Sequence, residues 1–170
     1  MIRTATHRDV AALHALVERA YRGDSARAGW THEADLLDGQ RTDPAALHAI
    51  IDDPRQTILI AVTDDDIAGC VQLSRVDAST AYLGMLTVEP AGQGAGLGKA
   101  LIAAAEARAR ADAATRVEMT VIAQRAELIA WYHRRGYLPT GEQRPVPYGD
   151  ARFGAPRRDD LIFVVLSRPI

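Results

Sequence analysis

Between Tyr82 and Lys99 the chain reads Tyr-Leu-Gly-Met-Leu-Thr-Val-Glu-Pro-Ala-Gly-Gln-Gly-Ala-Gly-Leu-Gly-Lys. An apolar, β-branched run stops at Pro90, a glycine-rich turn follows, and an alanine-rich helical stretch opens near Leu97. A strand that feeds a glycine turn into a helix start restricts the fold to an α/β arrangement and predicts an anion cradle. The first N–H groups of a helix have no intrahelical partner and point outward. The helix dipole adds partial positive charge at that end. Glycines let a phosphate approach the backbone with no Cβ in the way.

Three phosphate-binding patterns compete for this segment. The nucleoside-triphosphate loop G-x-x-x-x-G-K-[ST] needs a glycine where Gln93 stands and a hydroxyl where Ala100 stands. The dinucleotide pattern G-x-G-x-x-G fails because Leu97 and Lys99 occupy its closing positions. The third fits: Gln93-Gly94-Ala95-Gly96-Leu97-Gly98 resembles the [RQ]-x-x-G-x-[GA] signature of the GNAT superfamily of N-acetyltransferases, with Val88-x-Pro90 as its lead-in. A second segment, Gln124 through Tyr137, is similar to that family's N-x-x-A-x-x-x-Y-x-x-x-G-[FY] signature. Tyr132, Gly136 and Tyr137 match it, while Gln124 replaces Asn and Glu127 replaces Ala.

The resemblance implies a mixed, mostly antiparallel sheet with helices on both faces, splayed at its central strands. It implies acetyl-CoA as the cofactor. Backbone groups from Gln93, Gly94, Ala95, Gly96, Leu97, Gly98 and Lys99 would hold the pyrophosphate, and those of Leu86 and Val88 would pair with the pantetheine amides like an added strand. Gln124 would contact the pantetheine or its helix, and a backbone N–H near Leu86 would face the oxyanion. Tyr132 would be the acid that protonates the departing thiolate. Lys99 reads equally as a phosphate contact or a solvated helix lysine. The resemblance also implies that a homodimer through the late strands is a common assembly among relatives, while the sequence of this chain does not fix its own oligomeric state.

At 170 residues the chain reads as one acetyltransferase domain, residues 1–170. Apolar content of 48% and charged content of 25% are those of a soluble globular protein. A net charge of −2 gives no electrostatic case for nucleic acid. No apolar run reaches the ~20 residues of a membrane span, and the first residues lack the apolar core of a secretory signal, so a cytoplasmic enzyme is expected. Cys70, the lone cysteine, lies in an apolar run and reads as core. No metal is expected: His7, His14, His32, His48 and His133 form no ligand cluster, and Asp64-Asp65-Asp66 reads as a hairpin turn.

Periodicity gives the remaining elements. Ile2–Thr6 predicts a strand, and Thr6-x-x-Asp9 resembles a capping box. Val10, Leu13, Leu16, Val17, Ala20 and Tyr21 recur at helical spacing. Residues 22–31 form a loop, Thr31 caps a short helix through Leu37, and Asp43-Pro44 opens another that Pro54 ends. Strands are expected over Thr57–Thr63, Ile67–Val76, Thr80–Glu89, Arg116–Ile122, Tyr137–Thr140 and Leu161–Leu166. Helices are expected over Leu97–Arg110 and Gln124–Arg135, the latter closed by Gly136. Gly141–Asp159 is too long for a passive connection and reads as a lid or substrate loop.

Acetyl transfer to an amine requires a neutral nucleophile, although a free alkylamine has a pKa of roughly 10. Glu118, on the strand after the cofactor helix, is the candidate base; Glu89, Glu33 and Asp35 are further carboxylates that each read rather as solvated, and a water chain is the alternative to any direct base. For the acceptor, Tyr21, Arg22, Trp30 and Glu33 of the first loop and Tyr148, Asp150, Arg152 and Phe153 of the late loop are candidates. Aromatics beside carboxylates suit a cationic amine, and arginines suit an acceptor that also bears a carboxylate or phosphate. A small polar amine is therefore expected ahead of a protein lysine or N-terminus. The changes at Gln124 and Glu127 keep a non-catalytic acyl-CoA-binding domain open as a different class.

Overall fold

The structure, a computed structural model, describes residues 1–170. Seven strands form one sheet in the order β1-β3-β4-β5-β6-β9-β7. They are β1 (Ile2–Thr4), β3 (Gln56–Thr63), β4 (Asp66–Arg75), β5 (Thr80–Val88), β6 (Arg116–Ile122), β7 (Leu138–Pro145) and β9 (Ile162–Pro169). Two short strands, β2 (Leu37–Asp38) and β8 (Ala155–Pro156), pair with each other apart from that sheet. The five helices are α1 (Val10–Tyr21), α2 (Gly23–Ala26), α3 (Pro44–Asp52), α4 (Leu97–Ala111) and α5 (Ala126–His133). Every neighbouring pair in the large sheet is antiparallel except β5 and β6.

That parallel pair determines where a ligand can enter. It is held only from Thr80↔Arg116 to Tyr82↔Glu118, and beyond Tyr82 the two strands diverge. From Leu83 onward the edge of β5 that faces β6 has no strand partner. The register of β4 on β5 slips between Cys70 and Gln72, opposite Met85, which has φ +49°. An extra residue in one strand of a pair turns the strand and re-aims its groups. Here it lies at the mouth of the splay.

Two apolar layers clamp the sheet. On one face Leu101, Ile102, Ala105 and Ala109 of α4 bury against Val71, Leu83, Val117, Met119 and Val121. The small side chains of α4 let it lie close to the strands. On the other face Val10, Leu13 and Val17 of α1 and Leu47 of α3 cover Ile58, Ile60, Cys70 and Met85. The α1 positions recur at three and four residues, as a core-facing stripe requires. The Thr6 N–H donates to the Asp9 carboxylate at 2.7 Å at the entry to α1, and the Asp43 carboxylate caps α3 by accepting from the Ala46 N–H at 2.7 Å. Asp64 and Asp65 take φ +50° and +67° in the β3–β4 hairpin, and Gly136, φ +86°, follows α5.

Three expected segments differ. Residues 31–37 form no helix; the chain turns there and enters β2. The loop at 22–31 contains the one-turn α2. The late stretch is not a free loop, because β7 runs on to Pro145 and β8 pairs with β2. The β2–β8 contact is made between residues more than a hundred positions apart, which local periodicity does not encode.

Candidate active site

The glycine turn presents bare backbone. Gly94 and Gly96 have φ +92° and +86°, a region that costs a side-chain-bearing residue about 1–2 kcal/mol. A Cβ built at either would enter open space. The N–H groups of Gly94, Ala95, Gly96, Leu97, Gly98 and Lys99 find no acceptor in the protein; the first bond of α4 runs from the Ala100 N–H to Gly96 O at 3.1 Å. A Cβ at Gly98 would lie 3.6 Å from the Trp131 ring, in ordinary contact. The Gln93 side chain turns inward, donates to Val88 O at 3.3 Å and lies against Gly29.

These groups open onto a cavity of about 160 Å³. Its walls include Leu86, Val88, Gln93, Gly94, Gly96, Leu97, Gly98 and Lys99 from the β5–α4 passage, and Trp131 and Tyr132 from α5. The charged groups on its lining are Lys99, Arg125 and Arg135, with no carboxylate among them. Arg135 stacks over Trp131 with its guanidinium carbon 3.5 Å from the ring centroid. Free N–H donors, a helix start and three cations suit a polyphosphate.

A second cavity, about 300 Å³, lies beside it in the splay. The two share Tyr21, Leu86, Arg125, Leu128 and Tyr132 on their linings. Tyr21 crosses the junction and donates its hydroxyl to Leu86 O at 2.7 Å. Tyr132 makes no hydrogen bond through its hydroxyl, and burial raises its phenol well above the ordinary tyrosine value. It stays protonated there. Its ring is held edge-on by Trp131 and Tyr137, with centroids at 5.1 and 6.1 Å.

The roof over the second cavity is tied by buried charge. Glu33 accepts from Arg22 and, at 3.3 Å, from Arg125. Arg22 also donates to Phe153 O at 2.8 Å, and Arg125 to Thr31 Oγ1 at 2.9 Å. First and late loops are thereby clamped together over Phe153, which meets Phe163 edge-on.

The structure brings some of the expected residues together and leaves others apart. Tyr132, Tyr21, Leu86, Val88, Gln93 and most of the glycine turn share the first cavity; Ala95 does not reach its lining. Trp30 also lines that cavity, 6.2 Å from Trp131, and not the second one. Glu33 lines the second cavity, but both its oxygens are occupied by arginines. Glu118 lines neither cavity; its side chain leaves the sheet toward Arg144, which donates to it at 3.2 Å. Gln124 is likewise outside, donating to Asp160 O at 2.9 Å. Tyr148 is 45% exposed, its hydroxyl accepting from the Leu161 N–H, and Arg152 pairs with Asp43.

Sequence reasoning missed Arg41, Arg125, Thr120 and Arg135. Arg125 carried a signal, since a cation at a helix N-terminus opposes the helix dipole and wants another reason to be there. Arg41 carried none.

The sheet is parted between its two parallel central strands, with bare backbone donors on one side of the gap and a second cavity on the other. The family model described as Acetyltransferase (GNAT) family matches residues 11–137. The chain belongs to the GNAT acetyltransferase family. No curated protein sequence matches it significantly. Solved structures with the same fold include the ribosomal-protein-S18-alanine N-acetyltransferase of Escherichia coli, at 17% identity and TM-score 0.73, covering 100% of this chain and 93% of that one. The Salmonella typhimurium protein yncA, solved with its cofactor acetyl-CoA, has 20% identity and TM-score 0.72, with 99% and 92% covered. A GNAT family acetyltransferase from Elizabethkingia anophelis with acetyl-CoA bound has 16% identity and TM-score 0.63, with 100% and 97% covered. No helix is long and apolar enough to cross a membrane.

Proposed function

We propose that this chain is an acetyl-CoA-dependent N-acetyltransferase that acts on the primary amine of a small polar acceptor. The observation that carries this reading is the pair of cavities that meet at Tyr132 and Leu86, one lined by cations and free N–H groups, the other roofed by two loops. The cradle fits acetyl-CoA: Gly94 through Lys99 present unpaired donors for a pyrophosphate, Lys99 and Arg135 add charge, and the free edge of β5 at Leu86 and Val88 offers strand-like pairing to amides. When bound, acetyl-CoA supplies an acetyl thioester, whose C–S bond breaks as a C–N bond forms, leaving an acetamide and a thiol.

Tyr132 keeps its proton at Oη beside the junction, placed to deliver it where thiolate charge develops. The bulge at Met85 turns the backbone of Leu86 toward the gap, where main-chain groups can face a developing oxyanion. Tyr21 fixes the Leu86 carbonyl and so holds that backbone still. No carboxylate on either lining is free to act as a base, because Glu33 is the single one and is doubly ion-paired. Water is therefore the proton acceptor for the incoming amine, and positioning, which can supply on the order of 7–11 kcal/mol, is the larger contribution. The clamp of Arg22 onto Glu33 and Phe153 O ties the two loops beside the second cavity, and supports a small acceptor.

The test is calorimetric titration with acetyl-CoA together with thiol release across amino acids, polyamines, aminoglycosides and a lysine peptide. Binding with acceptor-dependent release from a small amine supports the reading. Release with the peptide alone moves the acceptor to protein, and binding without release from any amine indicates a non-catalytic domain.

A further inference from the structure

The second cavity carries an unbalanced charge. Glu33, Arg41 and Arg125 line it, and Arg22 stands behind Glu33. The Glu33 carboxylate is saturated by Arg22 and Arg125, and Arg125 is further engaged by Thr31. Arg41 is different. Its guanidinium has no carboxylate partner and lies over the Tyr21 ring, 5.1 Å from the centroid. The nearest acid on its flank, Glu18, uses its Oε1 to accept the backbone N–H groups of Arg41 and Thr42 at 2.7 and 2.9 Å. Those bonds fix the Arg41 backbone while leaving its guanidinium free. A guanidinium positioned by its main chain, stacked on an aromatic face and facing a roofed cavity is a receptor for an oxyanion.

Resting on the acetyltransferase reading above, we infer that the acceptor is a small amine that also bears a carboxylate or another oxyanion, which Arg41 holds while the amine lies toward Tyr132 and Leu86. The rest of the lining gives the body of that molecule an apolar setting: Phe153, Phe163 and Met119 contribute to it, together with Tyr82 and Thr120, which are hydrogen-bonded to each other at 2.7 Å. An amino acid or its phosphonate analogue satisfies all of this. A polyamine or aminoglycoside meets the net positive charge of two arginines in excess of Glu33 and is disfavoured.

The experiment compares methionine and phenylalanine with their amides, and with the matching aminophosphonates, at saturating acetyl-CoA. Both wild type and Arg41→Gln are assayed for thiol release. In parallel, the CoA-saturated protein is titrated calorimetrically with the N-acetyl acids and the N-acetyl amides. The acids are expected to exceed the amides by about 10–100-fold in kcat/KM, the range of a charged hydrogen-bonded contact. Arg41→Gln removes that preference through the KM of the acid, so that kcat/KM for the acid falls to the level of the amide. Phosphonates that match the carboxylates in this dependence identify the oxyanion itself as the recognised feature. Equal handling of acid and amide in every pair, in turnover and in binding, overturns the inference, while thiol release from the amides then keeps the acetyltransferase reading. Arg41-dependent binding of the acids without thiol release from any amine upholds the oxyanion site and removes the acetyltransferase reading.

Discussion

Replacing Tyr132 with Phe separates chemistry from folding more cleanly than any other change in this chain. The hydroxyl has no partner in the protein, so its removal leaves no orphaned donor or acceptor. The Phe ring keeps the edge-on contacts to Trp131 and Tyr137. Deleting an unpaired polar atom of this kind is close to neutral, so stability should move by less than about 1 kcal/mol, or roughly 2–4 °C in Tm for a chain of this size. The rate should respond far more. A positioned acid contributes about 10²–10⁴-fold; a loss of about 10²–10³ in kcat corresponds to roughly 2.7–4.1 kcal/mol of barrier. The KM for acetyl-CoA should stay near wild type, because no phosphate or amide contact is removed. The assay is initial-rate thiol release at saturating acetyl-CoA, beside a thermal melt of both proteins. Because burial raises the phenol, wild-type activity should show no falling limb from this group below about pH 10, the ordinary tyrosine value. Unchanged turnover with an intact melt refutes proton donation by Tyr132. A fall in activity matched by a Tm drop above about 10 °C would assign the residue to the core instead.

Gly96→Ala places a methyl group at φ +86° in the mouth of the cradle; we expect about 1–2 kcal/mol of destabilisation and a rise in the acetyl-CoA Kd on the order of 10-fold, read by calorimetry. Glu33→Ala leaves Arg22 and Arg125 buried without their shared partner, which costs about 3–5 kcal/mol and lowers Tm by roughly 6–20 °C. Cys70 has its thiol pushed up to about 12 by burial, so its thiolate fraction at pH 8 is on the order of 10⁻⁴; iodoacetamide should label it only in denaturant. The Arg3 guanidinium holds the Asp9 carboxyl far below its usual range. A carboxyl depressed in the folded state stabilises above its unfolded pKa, about 3.9, and loses that contribution as pH falls through the folded value. Asp9→Asn should therefore melt below wild type at pH 7, with the gap closing as the pH drops below about 4.

The two halves of the candidate site differ in how far a sequence can express them, and the difference is physical. The cradle is local. Gly94 and Gly96 are glycines because the turn needs positive φ there, and Pro90, the glycines and the start of α4 follow one another within ten residues or so, so chain order alone displays the geometry. The strands and helices that carry it follow the same logic, as the α1 stripe and the β6 bounds Arg116–Ile122 show. The acceptor cavity is assembled at long range. Arg22 reaches Phe153 O, Arg125 reaches Glu33, and β2 meets β8 across more than a hundred residues. Nothing in the neighbourhood of Glu33 marks it as half of an arginine clamp, and nothing near Glu118 shows that β7 will bring Arg144 onto it. Arg41 is the extreme case: its place depends on two backbone bonds to Glu18 and on a tyrosine ring twenty residues earlier. This fold draws its glycine cradle from contiguous backbone and builds the second cavity from side chains supplied by separate segments. Those loops can change without disturbing the cradle, so the acceptor has to be read from the assembled charge around Arg41 and not from the motifs that identify the family.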